Sequence, residues 1–419
     1  MTTYKSVVRN RSLIILGLSE SVSNVGNWIT MMAVFAMIVF SGKGSVAQSS
    51  GVFLAGLLPT LVFSPVAGWL CDHLDRKWLM IASELTSGLI IAGIIITQRL
   101  ELIYALLALQ SISTSIMSPA RQSVVPYLVR REDLTGANAF LQQLSSLIKI
   151  AAPILAGALL TIMNPHQAVI LDVISFIISA AILAFLPSLP PHQSLPANLT
   201  HGQVKRVSSA GIFSTLKASP RLSLLFLLEL LAVVIFIGFD VLAPIYIRDV
   251  MGGNASLFGS AIGLVGLGSL ISTLVLMLRR HPQNPWRDVL AGLVLLGAIP
   301  VSMSLGVFWE GGSAVIPLIA AGCLIGGVGN GLLNIQVATL LQLLSPAELL
   351  GRMGGVFQSA IGAGQLAGIM ITPLIVPALL SLGEYFLAAS LAVIILVLLT
   401  AIILMRTRPV LEKAGAASD

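Results

Sequence analysis

Charge is what this sequence has least of. Only 10% of its 419 residues are Asp, Glu, Lys or Arg, whereas 56% are hydrophobic and the mean hydropathy is +0.98. That excludes a water-soluble domain, because no globular surface could hide so much apolar area from water. Cysteine is scarce as well. Cys71 and Cys323 sit at or inside apolar runs and make no disulfide framework. The five histidines, His73, His166, His192, His201 and His281, fall between the runs without metal-ligand spacing, and there is no G-x-x-x-x-G-K loop for a nucleotide. These absences argue against an enzyme, a bound metal or a cofactor. Energy for uphill work would have to come from an ion gradient.

What is present is apolar sequence in long pieces. Twelve runs lie near residues 13–40, 50–71, 78–97, 101–125, 136–163, 168–187, 222–247, 256–278, 288–309, 313–342, 349–379 and 385–405. Each can cross the ~30 Å hydrocarbon core of a bilayer as a helix, the form in which the backbone satisfies its own polar groups. The expected fold is an all-α membrane protein of twelve transmembrane helices. The first run continues past residue 30 with no small-residue cleavage site and reads as a retained helix, not a signal peptide.

Orientation follows from the cations. With the N-terminus in the cytoplasm, all but four of the 23 Lys and Arg fall in inner segments. The exceptions are Lys43, Arg99 and Arg248 in outer loops and Lys149 inside a run. This asymmetry predicts both termini inside, in a multi-pass protein of the cell inner (plasma) membrane. The pI near 9.6 is then a topology signal, and nucleic acid is not an expected partner.

One long polar connection, rich in Pro and ending in Lys205, Arg206, Lys217 and Arg221, divides six runs from six. It sets the expected organisation: 1–187 as an N-terminal six-helix half, 188–221 as a cytoplasmic loop, 222–405 as a C-terminal six-helix half and 406–419 as a cytoplasmic tail. The halves echo each other. Glu20 and Glu229 each lie seven residues into the first run of their half, and E-D-L-T-G at 132–136 resembles A-E-L-L-G at 347–351. Two such halves are the architecture of a secondary transporter with its site near the midplane.

Charge is concentrated in one place, G-W-L-C-D-H-L-D-R-K-W-L-M at 68–80. Gly68, Leu70, Asp72, Arg76 and Lys77 resemble the signature between helices two and three of the major facilitator superfamily, roughly G-x-L-x-D-x-x-G-R-K, with Asp75 where that pattern has Gly. L-D-R-K resembles the branch containing macrolide, multidrug and siderophore exporters of the enterobactin type. So do S-P-A-R-Q-S-V-V-P-Y-L-V-R-R-E-D-L-T-G-A-N-A-F at 118–140, following helix four, L-L-S-P-A-E-L-L-G-R-M-G-G-V-F at 343–357, and L-D-V-I-S-F-I-I-S-A at 171–180.

The loop has a physical reading of its own. Asp72 could sit against the start of a neighbouring helix, whose free N–H groups and positive dipole end attract an anion. Ser345-Pro-Ala-Glu348, an N-cap, a Pro at the first helical position and a capping-box Glu, marks helix eleven as that neighbour. Asp72 held there, with Arg121 as its cation partner, would latch the cytoplasmic side. Gly68, Asp72, Asp75, Arg76, Lys77 and Arg121 are therefore the expected gate. Against this stands the plainer reading, in which Arg76 and Lys77 only fix topology and the two Asp are solvated.

Glu20, Glu84, Lys149, Asp172, Glu229 and Asp240 lie inside apolar runs, where a charge costs on the order of 2.5–3.5 kcal/mol unless it is paired or meets water. Glu20, Asn24 and Asn27 recur at helical spacing beside Trp28. Glu229 and Asp240 are three turns apart on one face. Lys149 is expected close to a carboxylate, and Glu84 and Asp172, placed near span ends, are expected to be structural. Glu20, Glu229, Asp240 and Lys149 are the candidates for proton coupling, with helix-locking ion pairs as the alternative. Many drug exporters of the branch carry an acid after the helix-one Gly, where this chain has Asn27 after Gly26.

Ala152-Pro-Ile-Leu-Ala-Gly157 resembles a degraded G-P-x-x-G-G antiporter motif that keeps Pro153 and Gly157. Gln110, Gln142 or Gln143, Asn330, Asn334, Gln358 and Gln365, with Asn24, Asn27 and Trp28, are candidates for a cavity suited to an amphiphilic molecule, though each serves equally as an interhelical hydrogen bond. The resemblance implies a monomeric exporter of a small drug- or siderophore-type substrate, working in the lipid bilayer by alternating access and proton antiport. A lysophospholipid flippase of the same fold and a non-transporting scaffold or sensor are the other readings.

Overall fold

The computed structural model describes residues 10–41, 44–130, 133–188, 215–279, 284–309, 315–346 and 349–406. Among these residues there is no strand. The helices are α1 (Arg11–Phe35, continued as a π-helix through Ala36–Phe40), α2 (Val46–His73) and α3 (Arg76–Ile95). Next come α4 in two pieces (Leu100–Thr114 and Met117–Leu128), α5 (Leu134–Ile162) and α6 (Pro165–Leu183). The remainder are α7 (Pro220–Asp249), α8 (Ala255–Leu278), α9 in two pieces (Pro285–Leu296 and Ala298–Phe308), α10 (Val315–Leu344), α11 (Leu350–Ile375) and α12 (Leu382–Arg406). Among the described residues twelve spans are long and apolar enough to cross a membrane, and their ends fall within about a turn of those read from the sequence.

Several helix starts are written in the side chains. Asn10 caps α1, Ser45 and Gln48 form a capping box on α2, Asp75 caps α3, and Asn164 with Gln167 boxes α6 ahead of Pro165. Each arrangement satisfies N–H groups that a helix end leaves bare. The packing is that of a multi-pass membrane protein, with serines inside and leucines out. Ser19, Ser23, Ser83, Ser87 and Ser179 are buried while Leu89, Phe185 and Met277 stand exposed. Lipid is as apolar as leucine, so close packing and interhelical hydrogen bonds have to hold the helices together.

The chain forms two compact units, residues 1–201 with 241–263, and 202–240 with 264–419. In the first, α1 packs on α5 and α6, α3 on α4 and α6, and α2 on α4. The start of α8 also belongs to this unit and meets α5 backbone to backbone. A Cβ on Gly157 would lie 3.1 Å from the Ser256 backbone, and one on Gly259 would run into the Pro153 carbonyl. Pro153 and Gly157, the residues kept in the degraded motif, are thus the α5 side of a close helix crossing. Arg248, near the end of α7, donates from Nη1 to the carbonyls of Val39 and Gly44, both at 2.8 Å. In the second unit α9 packs along α10 and α12, and α10 meets α11.

Two local expectations are corrected. The stretch 118–140 was read as following helix four, but its first part, Met117–Leu128, is helical and continues α4 to Leu128 after a break at Ser115 and Ile116. Ser345 was expected to cap helix eleven, but its N–H closes the last turn of α10 on the Leu341 carbonyl and its Oγ has no hydrogen-bond partner among the described residues. The helix itself begins at Leu350. Glu132, Ala347 and Glu348 of the two echoing segments lie outside the described residues.

Candidate functional site

Helix α1 carries two polar faces. The first is the stripe Glu20, Asn24 and Asn27. Arg121, brought inward by the continuation of α4, donates from Nη1 to Glu20 Oε1 at 3.0 Å and Oε2 at 3.2 Å, with each side chain about a quarter exposed. Gln110, one helical piece earlier on α4, donates to Asn27 Oδ1 at 2.8 Å, and Asn24 donates to the Glu20 carbonyl at 2.8 Å. Trp28 is half-buried beside them. On the α5 side, Leu141, Leu144, Ser145 and Ile148 complete a narrow crevice with Gly17, Glu20, Ser21 and Asn24. Arg121 is therefore the partner of Glu20 and not of Asp72. A cation that far inside an apolar bundle needs a carboxylate, and α1 supplies it.

The second face, Ser19, Ser23, Gly26 and Thr30, turns toward α3 and α6. Ser19 and Ser179 share a hydrogen bond of 2.7 Å, Thr30 donates to Asp172 Oδ2 at 2.5 Å, and Ser175 donates to Asp172 Oδ1 at 3.1 Å. Gly26 has to be glycine here, since a Cβ would collide with Asp172 Oδ1 and Ser175 Oγ. Glu84 of α3 joins the group, with the Ser23 and Ser179 hydroxyls facing its carboxyl. Glu84 is 2% exposed and Asp172 0%. Their expected position near span ends is corrected, because both lie mid-helix. The signal for this face was in the sequence, as small polar residues at helical spacing on α1 matched by Asp172, Ser175 and Ser179 on α6.

The charged loop after α2 divides. Asp75 accepts from the N–H groups of Lys77 and Trp78 at 2.9 and 3.3 Å and from Ser188 Oγ at 2.8 Å. Arg76 is 2% exposed with its guanidinium 5.1 Å from the centre of the Tyr127 ring, and the Lys77 ammonium lies 5.6 Å from the Trp78 ring. These three are built into the end of their own unit. Asp72 is exposed, and a Cβ on Gly68 would meet nothing within 4 Å.

Lys149 is also exposed, and among the described residues no carboxylate lies within salt-bridge distance of it. Leu141, Ala152 and Ala156 of the same helix are buried, whereas Lys149 is exposed. Gln142 and Gln143 are exposed on the same helix.

In the second unit, Glu229 of α7 is 8% exposed and Asp240 half-buried, and neither has an ion pair among the described residues. Asn330 donates to Ser269 Oγ at 3.3 Å and Asn334 donates to Asn330 Oδ1 at 2.9 Å, an α8–α10 cluster. Gln358 is exposed and Gln365 half-buried on α11. Sequence reasoning missed one network. Arg279 donates to both oxygens of Asp288 at 2.8 and 2.9 Å, and Gln336 donates to Asp288 Oδ2 at 2.8 Å, tying the end of α8 to α9 and α10.

Comparison with known proteins agrees with this architecture. The family model described as Major Facilitator Superfamily matches residues 16–368. The uncharacterized MFS-type transporter YfiS of Bacillus subtilis (strain 168) is 29% identical over 371 residues, 87% of each chain. Macrolide efflux protein A of Streptococcus pyogenes is 26% identical, covering 85% of this chain and 87% of its own. The multidrug efflux pump Tap of Mycolicibacterium fortuitum is 27% identical, covering 92% and 93%. Among solved structures, the nucleoside transporter NupG superposes with a TM-score of 0.70 at 13% identity over 94% of this chain and 98% of its own. A bacterial homologue of the iron transporter ferroportin does so with 0.68 at 19% over 95% and 98%. At these identities the solved structures establish the fold alone.

Proposed function

Given that the chain belongs to the Major Facilitator Superfamily, and so is a transporter and not an enzyme, we propose that it exports a small amphiphilic organic molecule of the drug or siderophore type by alternating access coupled to proton entry. It sits in the cell inner (plasma) membrane as a monomer with both termini cytoplasmic, the orientation that its Lys and Arg distribution favours. The observation that carries the export reading is the similarity, over most of the chain, to relatives named for macrolide and multidrug efflux.

Proton coupling is supported by carboxylates that an apolar bundle would otherwise not keep. A proton antiporter binds substrate with its acid deprotonated toward one side and releases it with that acid protonated from the other. Among the described residues no cation pairs with Glu229 or Asp240, which leaves them available for this exchange. Glu20 can join only when Arg121 lets go, so the Glu20–Arg121 pair serves as a switch. Lys149 lends positive charge to the same cycle. Asn24, Asn27, Trp28, Gln110, Gln143, Asn330, Asn334, Gln358 and Gln365 contribute hydrogen-bonding groups for the cargo. Of the loop residues, Gly68, Asp75, Arg76 and Lys77 hold the gate in shape and Asp72 carries its responsive charge.

The test is substrate-induced proton movement in reconstituted vesicles for wild type, Glu20→Gln, Glu229→Gln and Asp240→Asn. The substrate comes from a drug panel and a siderophore assay on a strain lacking the gene. At least one variant should lose gradient-driven uphill transport while keeping passive exchange. Normal pumping by all three, singly and together, would overturn the assignment of the proton to these residues.

A further inference from the structure

The second face of α1 holds a carboxyl that the export reading does not use. Glu84 is 2% exposed, and among the described residues no cation lies within salt-bridge distance of it. Its Oε2 is buried without a hydrogen-bond partner, whereas both oxygens of Asp172 are taken by Thr30 and Ser175. A carboxyl kept only to lock helices would have its acceptors filled, because an unfilled buried acceptor costs roughly 1–3 kcal/mol and an apolar side chain would avoid that cost. Ionisable groups retained in such surroundings mark proton or ion pathways.

The neighbours form a route to it. Glu20 lines the crevice against α5 and is a quarter exposed, so it can meet water. Among the described residues, it and Asp172 are the acids near Glu84. On α1, Ser19 and Ser23 lie one residue before and three residues after Glu20; the Ser23 and Ser179 hydroxyls face Glu84, and Ser19 and Ser179 are hydrogen-bonded to each other. Among the described residues, the charged groups near Glu84 are thus Glu20 from α1 and Asp172 from α6, and Glu20 in turn holds Arg121 of α4. Asp72 and His73 of α2 lie at its exposed end.

We propose that Glu84 is a proton-binding site, located between α1, α3 and α6 away from the candidate cargo residues and reached through Glu20 and the serine hydroxyls. The proton resides on Oε2, and its arrival and departure accompany the making and breaking of the Glu20–Arg121 pair. As a site for the coupling ion this rests on the proton-antiport reading, but proton uptake by Glu84 can be measured without cargo.

The experiment is pH-difference infrared spectroscopy on the full-length protein in lipid. Wild type should show a carboxylic C=O band that changes with pH and is absent from Glu84→Gln, while Glu229→Gln retains it. Ser179→Ala and Ser23→Ala, which leave Glu84 in place, should shift the band by removing the hydroxyls that face it. A Glu84→Gln spectrum identical to wild type overturns the proposal, as do serine variants with an unmoved band should Glu84→Gln fail to fold. If the band behaves as expected but wild-type vesicles move no protons with substrate, the antiport reading has failed and the proton site stands.

Discussion

Arg121 and Glu20, a hundred residues apart in the chain, meet through one guanidinium nitrogen that reaches both carboxylate oxygens, at 3.0 and 3.2 Å. Each ion exists inside the bundle because the other does. Glu20→Gln or Arg121→Ala alone should destabilise the protein by up to about 3 kcal/mol, less than a fully buried pair would cost, because both groups are partly exposed. The double variant should recover part of that loss. Thermal unfolding in detergent checks it, and strictly additive losses would mean that the contact carries no coupling energy.

Gly26 lets Asp172 and Ser175 come flush against α1. Gly26→Ala should therefore cost about 1–3 kcal/mol by overpacking, and Ser175→Gly in the same chain should return part of it. An alanine variant that melts with wild type would mean that α1 and α6 have room to separate.

At the α5–α8 crossing the two glycines should differ in sensitivity. A Cβ on Gly157 is tight but tolerable at 3.1 Å, whereas one on Gly259 would overlap the Pro153 carbonyl. Gly259→Ala should thus lower stability and transport more than Gly157→Ala. Equal effects in a melting and flux comparison would argue against this register.

Asp288 gathers Arg279 and Gln336. Asp288→Ala should leave both donors without their acceptor, at roughly 1–3 kcal/mol each where they are buried. Arg279 is about a third exposed and will recover some of that from water. Asp288→Asn should fall between alanine and wild type in a melting series.

Asp72 is exposed, so Asp72→Asn should change stability by no more than about 0.5 kcal/mol. If it carries the gate, the variant will slow transport and shift cysteine accessibility toward an inward-open state. Labelling and flux identical to wild type would leave the loop as a topology marker.

The twelve spans were legible because a bilayer imposes one rule, a long apolar run with its backbone satisfied internally, that composition and run length express directly. The charged loop and the echoing segments likewise identified the family from local residues. Partner choice was not legible. Whether Arg121 joins Asp72 or Glu20 depends on whether α4 continues past Ile116, which shifts the residue from a loop into the bundle. Glu84 and Asp172 looked peripheral because their spans were read two to four residues too far along the chain. Helical phase and neighbour identity arise from many weak contacts between distant segments, such as Ser19 with Ser179 and Gly26 with Asp172. The single chain thus determined what crosses the membrane, while the tertiary structure alone decided which buried charges face one another.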